Sequence, residues 1–417
     1  MTLTLTDLFC GAGGSSTGAV QVPGVQVRVA SNHWQLAVDT HNKNHPGADH
    51  ICADLSQISP EYFPPSELLW ASPECTNHSI ARGRKYETAA PDLFGETLPD
   101  DAAERSRATM WDVVRFTERH RYQAVMVENV VDAVRWQPWR AWLMAMDSLG
   151  YHHQTVMLNS AHAQLAGEGA PQSRDRMYVV FWRKGNRKPD LHRVTRPRAV
   201  CAECGPVRAM QSWKRDDRPE HGRYRAQYVY RCPNMACRNA VVEPLVRTAA
   251  DVIDWTHQGT RIGDRTRPLA DKTMNRIRSG IEEYWAPLAV PVEGREGKRA
   301  APVDRPFRTM TTRNETGLAF IAELRGGGSK HRPVTHPLST VTASGNHHGL
   351  VRGEKPSVDI DDVRFRMLEP EEVIRAMDFP SGYEVLGTRR ERVRMAGNAV
   401  TPPAARDLVS VVSESLN

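Results

Sequence analysis

The chain opens on "LTLTDLF", where apolar and polar positions alternate with the period of two that a half-buried strand requires. The run ends in "CGAGGSSTGA", glycines and small residues that predict a tight turn and a helix start. "VQVRVASN" repeats the strand pattern and is followed by a helical "WQLAVDTHNKNHP" stopped by Pro46. "ELLWASPEC" predicts a strand running into a loop. "YQAVMVENV" has the continuous apolar pattern of a central strand with polar residues only at its end, and "RDRMYVVFWR" supplies a further strand. Strands alternating with helical segments, each closing on a polar or Gly-rich loop, predict a doubly wound α/β domain from Met1 to about Trp182. Ligands of such sheets bind at the carboxyl ends of the strands.

Beyond Lys184 the pattern changes to Pro- and Arg-rich sequence with few helical periods, which predicts a mostly β or irregular insertion over 186–360. Within it "RPLADKTM", "RPFRTMTT" and "HPLSTVTA" form a weak echo, each a basic residue, a proline, an apolar residue and a Thr-containing, strand-like tail. "ELRGGGSKHRP" predicts a flexible loop. Helical periodicity returns at "EPEEVIRAMDFP", with Glu369, Glu371 and Glu372 near the helix start and Pro380 beyond its end. "MAGNAVTPPAARDLVSVVSESL" predicts a last, Pro-bounded helix, so a segment over 361–417 follows the insertion.

The chain has 417 residues, more than one core usually supports, in keeping with a domain carrying an insertion. No apolar stretch approaches the ~20 residues of a membrane span. The N-terminus lacks the basic start and apolar core of a secretory signal, so a cytoplasmic setting is expected. The net charge is +6. Arg183 to Arg247 holds sixteen Lys and Arg against six Asp and Glu, a local excess of +10, so the remainder is slightly acidic. Such a block is either a solvated face or a nucleic-acid surface.

Seven cysteines argue against a disulfide framework. Four of them, Cys201, Cys204, Cys232 and Cys237, form two close pairs inside the basic block. This spacing suits a tetrahedral structural zinc site with four thiolate ligands, in a module over about 199–240; the competing reading is four free thiols.

Several residues could do chemistry. The Gly-rich turn after the first strand would let a ligand approach the backbone, or it is only a tight connection. Trp34 could stack on a base, and Asp54 could accept from an exocyclic amine. Glu128, ending an apolar strand with Asn129, could be a partly desolvated proton donor, or a capping acid. Arg174 and Arg176 sit at alternate positions entering a strand and should share a face suited to carbonyl or phosphate contacts. Cys75 follows a strand at the same sheet edge. A free thiol has a pKa of about 8.5, so a nucleophilic Cys75 needs a nearby cation, for which Arg174 is the candidate.

This set, in this order, resembles the DNA cytosine-5 methyltransferase family. "DLFCGAGG" looks like its cofactor loop, "SPEC" its nucleophile loop, "VENV" its Glu-Asn motif, "QSRDR" its Gln-x-Arg-x-Arg motif and "AGNAVTPP" its C-terminal motif, and "FRMLEPEEVIRAMDFP" resembles the segment preceding the last. The resemblance implies a doubly wound S-adenosylmethionine-dependent methyltransferase domain over 1–185, completed by 361–417. S-adenosylmethionine would be held by Phe9, Gly11, Gly13 and Gly14, with His33, Trp34 and Asp54 around the adenosine and Asn398 and Val400 closing the site. Cys75 would add to C6 of a cytosine flipped from duplex DNA, Glu128 would bond N3 and the exocyclic amine, Arg176 would hold O2, and Arg174 would support the thiolate. The insertion stands where the family places its target recognition domain, although the family does not generally carry the four-cysteine module. The protein is expected to act as a monomer on double-stranded DNA; the alternatives are an RNA substrate or a non-catalytic DNA-binding regulator. Three departures stand out: Glu74 and Thr76 flank Cys75 where Pro and Gln are usual, and His33 stands where an acid usually meets the ribose.

Overall fold

The structure, a computed structural model, describes residues 2–73, 100–284, 287–293, 297–313, 315–320 and 359–417. The first half builds one seven-stranded sheet from β1 (Leu3–Leu8), β2 (Val25–Asn32), β3 (Asp49–Cys52), β4 (Leu68–Ala71), β5 (Ala124–Asn129), β6 (Tyr151–Asn159) and, after the short β7 (Gln172–Ser173), β8 (Asp175–Arg183). Their order is β3-β2-β1-β4-β5-β8-β6. The central β4 and β5 are buried along their whole length, which is why they read as continuous apolar runs.

Two helical layers cover the sheet. On one face α1 (Gly14–Ala19) packs against the C-terminal α8 (Pro402–Leu416). Both are rich in small residues at the contact, and a Cβ on Gly18 would lie 2.3 Å from the Pro402 carbonyl oxygen. Leu68, Trp70, Leu408 and Val412 share that core. On the other face Leu69, Val125 and Val127 share a core with Met110, Val113 and Phe116 of α3 (Asp100–His120) and Trp142 of α4 (Trp139–Ser148). The helix α2 (Gln35–Asn44) lies between β2 and β3, within the predicted segment.

The chain order reverses between β1 and β4, which are hydrogen-bonded neighbours. The loops leaving these two strands therefore diverge at a crevice, the usual ligand position of an open α/β sheet. The sheet is mixed rather than wholly parallel, because β8 runs antiparallel to both β5 and β6. Reversal of β8 has a direct consequence: the residues entering it lie beside the carboxyl end of β5, so Asn129 pairs with Met177 and Glu128 with Tyr178.

Among the described residues the insertion has two parts. A four-cysteine module comprises β9 (Arg198–Cys201), β10 (Gly205–Arg208), β11 (Met210–Trp213), β12 (Tyr228–Arg231) and β13 (Val241–Val242), arranged as a hairpin and a three-stranded sheet. Ala199, Tyr228, Tyr230 and Val242 join the same core as Val127 and Met157, so this module packs directly onto the seven-stranded sheet. The second part pairs β14 (Thr260–Arg261), β15 (Leu288–Pro291), β16 (Ala301–Pro302), β18 (Thr316–Phe320) and β19 (Arg364–Met367) in one sheet, with α5 (Asp271–Tyr284) packed against β15. The short β17 (Phe307–Arg308) instead pairs with β7.

The expected edges of the insertion shift at both ends. Leu191 and Val194 are buried in the α8 core, beyond 185, and β19 belongs to the insertion's sheet although it lies past 360. The echo does not mark a structural repeat. Its first copy, expected to be strand-like, leads into α5, where Asp271 starts a helix with an apolar face of Met274, Ile277 and Ile281. The third copy and the "ELRGGGSKHRP" loop lie outside the described residues. In the last segment α6 (Pro370–Ala376) begins at a capping box formed by Glu369 and Glu372, and α7 (Arg389–Asn398) precedes α8.

Candidate active site

The Gly-rich turn follows β1 at the crevice. Phe9, Gly11 and Gly13 all adopt positive φ, at 60°, 52° and 80°, so the loop turns sharply and Gly13 caps α1. Beneath it the buried Asp7 accepts from the hydroxyls of Ser15 and Ser16, each at 2.6 Å, through one carboxylate oxygen. The other, Oδ1, is buried without a hydrogen-bond partner among the described residues. Burial raises the Asp7 carboxyl to about 6 against the opposing serine hydrogen bonds.

The C-terminal segment closes over this turn. The Tyr383 hydroxyl donates to the Ala12 carbonyl at 2.5 Å, and Val400 presents its own carbonyl to Gly14. Asn398 ends α7 two residues before. On the next loops along the sheet, Trp34 caps α2 and follows the exposed His33, whose carbonyl lies 3.7 Å from Cys52 Sγ. Arg394 of α7 sits over the Trp34 ring with its guanidinium carbon 5.0 Å from the centroid, a cation–π contact. Asp54, in the loop after β3, is exposed and accepts from the Ser56 amide and hydroxyl. An orphaned carboxylate oxygen below a glycine turn, with an indole and a second acid on adjacent loops, fits S-adenosylmethionine's cationic and adenosine portions.

The acid–base pair stands on the other side of the crevice. Glu128, 7% exposed, ends β5, and its Oε1 lies 2.9 Å from Nε of Arg176. Both face the carboxyl end of the sheet because β8 is reversed. Asn129 donates to the Pro73 carbonyl at 3.3 Å and so holds the start of the loop after β4. Cys75, with Glu74 and Thr76, lies outside the described residues.

Arg174, expected beside the Cys75 thiolate, has a set of backbone partners among the described residues. It is 2% exposed, and its terminal nitrogens donate to the carbonyls of Met310 at 3.0 Å, Gly397 at 3.0 Å and Ala399 at 3.2 Å. The guanidinium is thus a brace joining the sheet to the insertion and to the C-terminal segment. Among the described residues Arg176 meets Glu128 instead. Gln172 assists the brace, accepting from the Met310 amide at 2.8 Å and donating to the Ala376 carbonyl at 3.3 Å.

The four insertion cysteines converge. The Sγ atoms of Cys201, Cys204, Cys232 and Cys237 all lie within 4.8 Å of one another, near the ~3.8 Å separation that tetrahedral Zn–S bonds of about 2.3 Å demand. The β9–β10 hairpin turns through Gly205 at positive φ, which brings Cys204 back beside Cys201. Backbone N–H groups of Cys204 and Glu203 draw the Cys201 thiol below its usual range, whereas burial pushes the Cys232 thiol up to about 12, so the case for a metal rests on the convergence of the four sulfurs. The donor set fits a closed site with no open position.

Residues that the sequence reading passed over are Asp7, Tyr383, Arg394 and a histidine group. His41 Nδ1 lies 2.8 Å from His50 Nε2, its Nε2 2.9 Å from Ser16 Oγ, and His45 Nε2 3.0 Å from Thr17 Oγ1. The four-residue spacing of His41 and His45 on one helix was the available signal; nothing in the sequence marks Tyr383 or Arg394.

The site thus joins a glycine turn, an acid–arginine pair and a C-terminal segment at the switch point of one α/β sheet. The profile of the C-5 cytosine-specific DNA methylase family matches residues 3–414, and the chain belongs to that family. It is 26% identical over 181 residues to the type II methyltransferase M.SsoII of Shigella sonnei, covering 43% of this chain and 42% of the relative. It is 28% identical over 181 residues to M.NlaX of Neisseria lactamica, covering 42% of this chain and 51% of the relative. The matches thus span about half or less of these relatives. Among solved structures, the Entamoeba histolytica methyltransferase EhMeth superposes with a TM-score of 0.54 at 10% identity, over 100% of this chain and 99% of that one. S. pombe Dnmt2 superposes with 0.53 at 16% identity over the same shares. At these identities the structural likeness is one of fold.

Proposed function

We propose that the protein transfers a methyl group to C5 of a flipped cytosine in a specific duplex DNA sequence, acting as a monomer in the cytoplasm. The observation that carries this reading is the Glu128–Arg176 pair at 2.9 Å, set at the carboxyl end of β5 across the crevice from the glycine turn. A cytosine ring needs its N3 and exocyclic amine met by a carboxyl group and its O2 met by a cation, and the pair presents both from neighbouring strands. The target base must leave the stack, since its reacting atoms are inaccessible in a duplex. Cys75 supplies the nucleophile: its sulfur bonds C6, which makes C5 electron-rich, and the adduct later loses the C5 proton and expels the thiolate. Phe9, Gly11, Gly13, Gly14, Trp34 and Asp54 would hold S-adenosylmethionine, with His33, Asn398 and Val400 bordering it. When bound, that cofactor provides the electrophilic methyl group. Arg174 keeps the C-terminal wall against the sheet.

The four-cysteine cluster holds a structural zinc ion in this reading, and the insertion that carries it is the target recognition domain. The test is methyl incorporation into duplex DNA and tRNA by the full chain and by Cys75→Ala. Transfer to DNA that vanishes in the variant, with cofactor binding kept, supports the proposal. Residual turnover in Cys75→Ala removes the thiol from the mechanism, and methylation of tRNA alone replaces the substrate.

A further inference from the structure

From beyond β11 to the first residue of β12 the four-cysteine module carries a strap, residues 221–228, that crosses to the flank of the Glu128–Arg176 pair. The strap is internally braced: Gln227 donates its amide to the Arg223 carbonyl at 2.9 Å, and its side-chain Oε1 accepts from the Arg223 amide at 2.8 Å. Four of its contacts fall on three residues adjoining the pair. His221 Nε2 lies 2.7 Å from the carbonyl of Val131, three residues after Glu128. Arg223 forms an ion pair with Asp132 in the same turn. The Tyr224 amide donates at 3.1 Å to Oδ1 of Asp175, the residue before Arg176, and the Tyr228 hydroxyl lies 3.5 Å from the same oxygen.

Asp132 is 5% exposed and has one other cation, Arg135, at the longer distance of 3.7 Å, and Asp175 is held between β6 and the strap, so solvent is a poor substitute for the strap's contacts. The strap is tied in turn to the cysteines. Tyr228 and Tyr230 belong to β12, which runs directly into Cys232, and the rings of Tyr224 and Tyr230 meet the buried His162 edge-on at 4.5 and 5.0 Å. A chain of contacts thus runs from the thiol cluster, through β12 and the strap, to both strands that carry the pair.

We infer that the four-cysteine module is a positioning device for the catalytic pair: metal held by the four cysteines fixes β12, and Arg223 with the strap's backbone holds Asp132 and Asp175 so that Glu128 and Arg176 keep their geometry. Arg223 is a positioning residue, since it touches neither member of the pair. The assignment rests on the proposed methyl transfer for its catalytic meaning, but the mechanical coupling stands apart from it.

Amide hydrogen exchange on the full chain separates the two. It is measured on the metal-loaded protein, on protein stripped by a chelator, and on Arg223→Gln and Arg223→Lys. Peptides spanning 124–135 and 172–178 should exchange on the order of tenfold faster in Arg223→Gln and after stripping, while β1 and β2 keep their protection. Methyl transfer by Arg223→Gln should lose on the order of ten- to a hundredfold in kcat with the cofactor KM within about twofold, and Arg223→Lys should recover most of it. Unchanged protection at 124–135 and 172–178 in Arg223→Gln overturns the strap's role. Protection that survives stripping of the metal overturns the coupling to the cysteines; should stripping unfold the whole chain, Arg223→Gln alone decides. A wild-type chain that transfers no methyl group defeats the functional reading and leaves the exchange result to stand or fall by itself.

Discussion

Gly14 lies so close to Val400 that a Cβ on the glycine would sit 1.9 Å from the valine's carbonyl oxygen. This contact joins the turn after the first strand to the last motif of the chain, at the far end of the sequence. Backbone cannot yield as a side chain does, so Gly14→Ala must push α1 and the C-terminal segment apart. We expect a loss of about 1–3 kcal/mol or more in chemical denaturation, with weaker cofactor binding. An unchanged denaturation midpoint would show that the two segments are not held against each other.

Acid should destabilise the protein through the histidines behind the turn. Burial, followed by the neighbouring His50, lowers His45 from 6.5 to about 4, and burial likewise holds His41 well below its usual value. Between these values the unfolded chain binds a proton that the folded chain refuses. The stability is therefore complete above pH 6.5 and is lost as pH falls towards 4, by roughly 3 kcal/mol for His45. Asp7 works oppositely: its raised carboxyl takes a proton as pH falls below about 6, so it destabilises the fold above that pH. His45→Gln should flatten the acid limb in urea titrations across pH 4 to 7, whereas Asp7→Asn should stabilise mainly above pH 6. A limb as steep in His45→Gln as in the parent would remove His45 as its source.

Much of the frame was legible because short-range signals carry it. The period of two marked β1 and β2, and an apolar run ending in Glu128 and Asn129 marked a central strand that closes at the ligand edge. The direction of β8 was not legible, since periodicity is the same in either sense, yet that direction brings Arg176 to Glu128. Arg174 was visible as a cation but not as a brace, because its acceptors come from residues 310, 397 and 399, chosen only by the tertiary fold. The Thr in "RPLADKTM" suggested a strand, but Met274, Ile277 and Ile281 at helical spacing decided for α5.

Arg366 and Glu372 form a buried, two-pronged ion pair, with both bonds at 2.7 Å and Glu372 fully buried. The carboxylate also accepts from the amides of Asp254 and Glu369, so it ties the insertion to the start of α6. Glu372→Ala would leave the guanidinium buried beside unmatched amides, at a cost of about 3–5 kcal/mol. Glu372→Gln keeps the shape and part of the bonding and should cost less. Equal stabilities for the two variants, measured by thermal or urea unfolding, would argue that packing rather than charge holds this junction.

The surroundings of the four-cysteine cluster separate a metal site from four thiols that merely share a core. Three of the cysteines are less than a tenth exposed, and the module's apolar residues merge with the core under β5. Free thiols would pack there as small apolar groups, and Cys232→Ser would cost only the loss of one such group. Four thiolates around a metal act as a unit whose binding free energy is part of folding, so removing one ligand releases the ion and loosens the whole module. Metal analysis should find about one zinc per chain in the parent and none in Cys232→Ser. The variant's module should also become sensitive to proteolysis at residues 199–242. A folded, metal-free parent that resists chelators would make the cluster a packing feature.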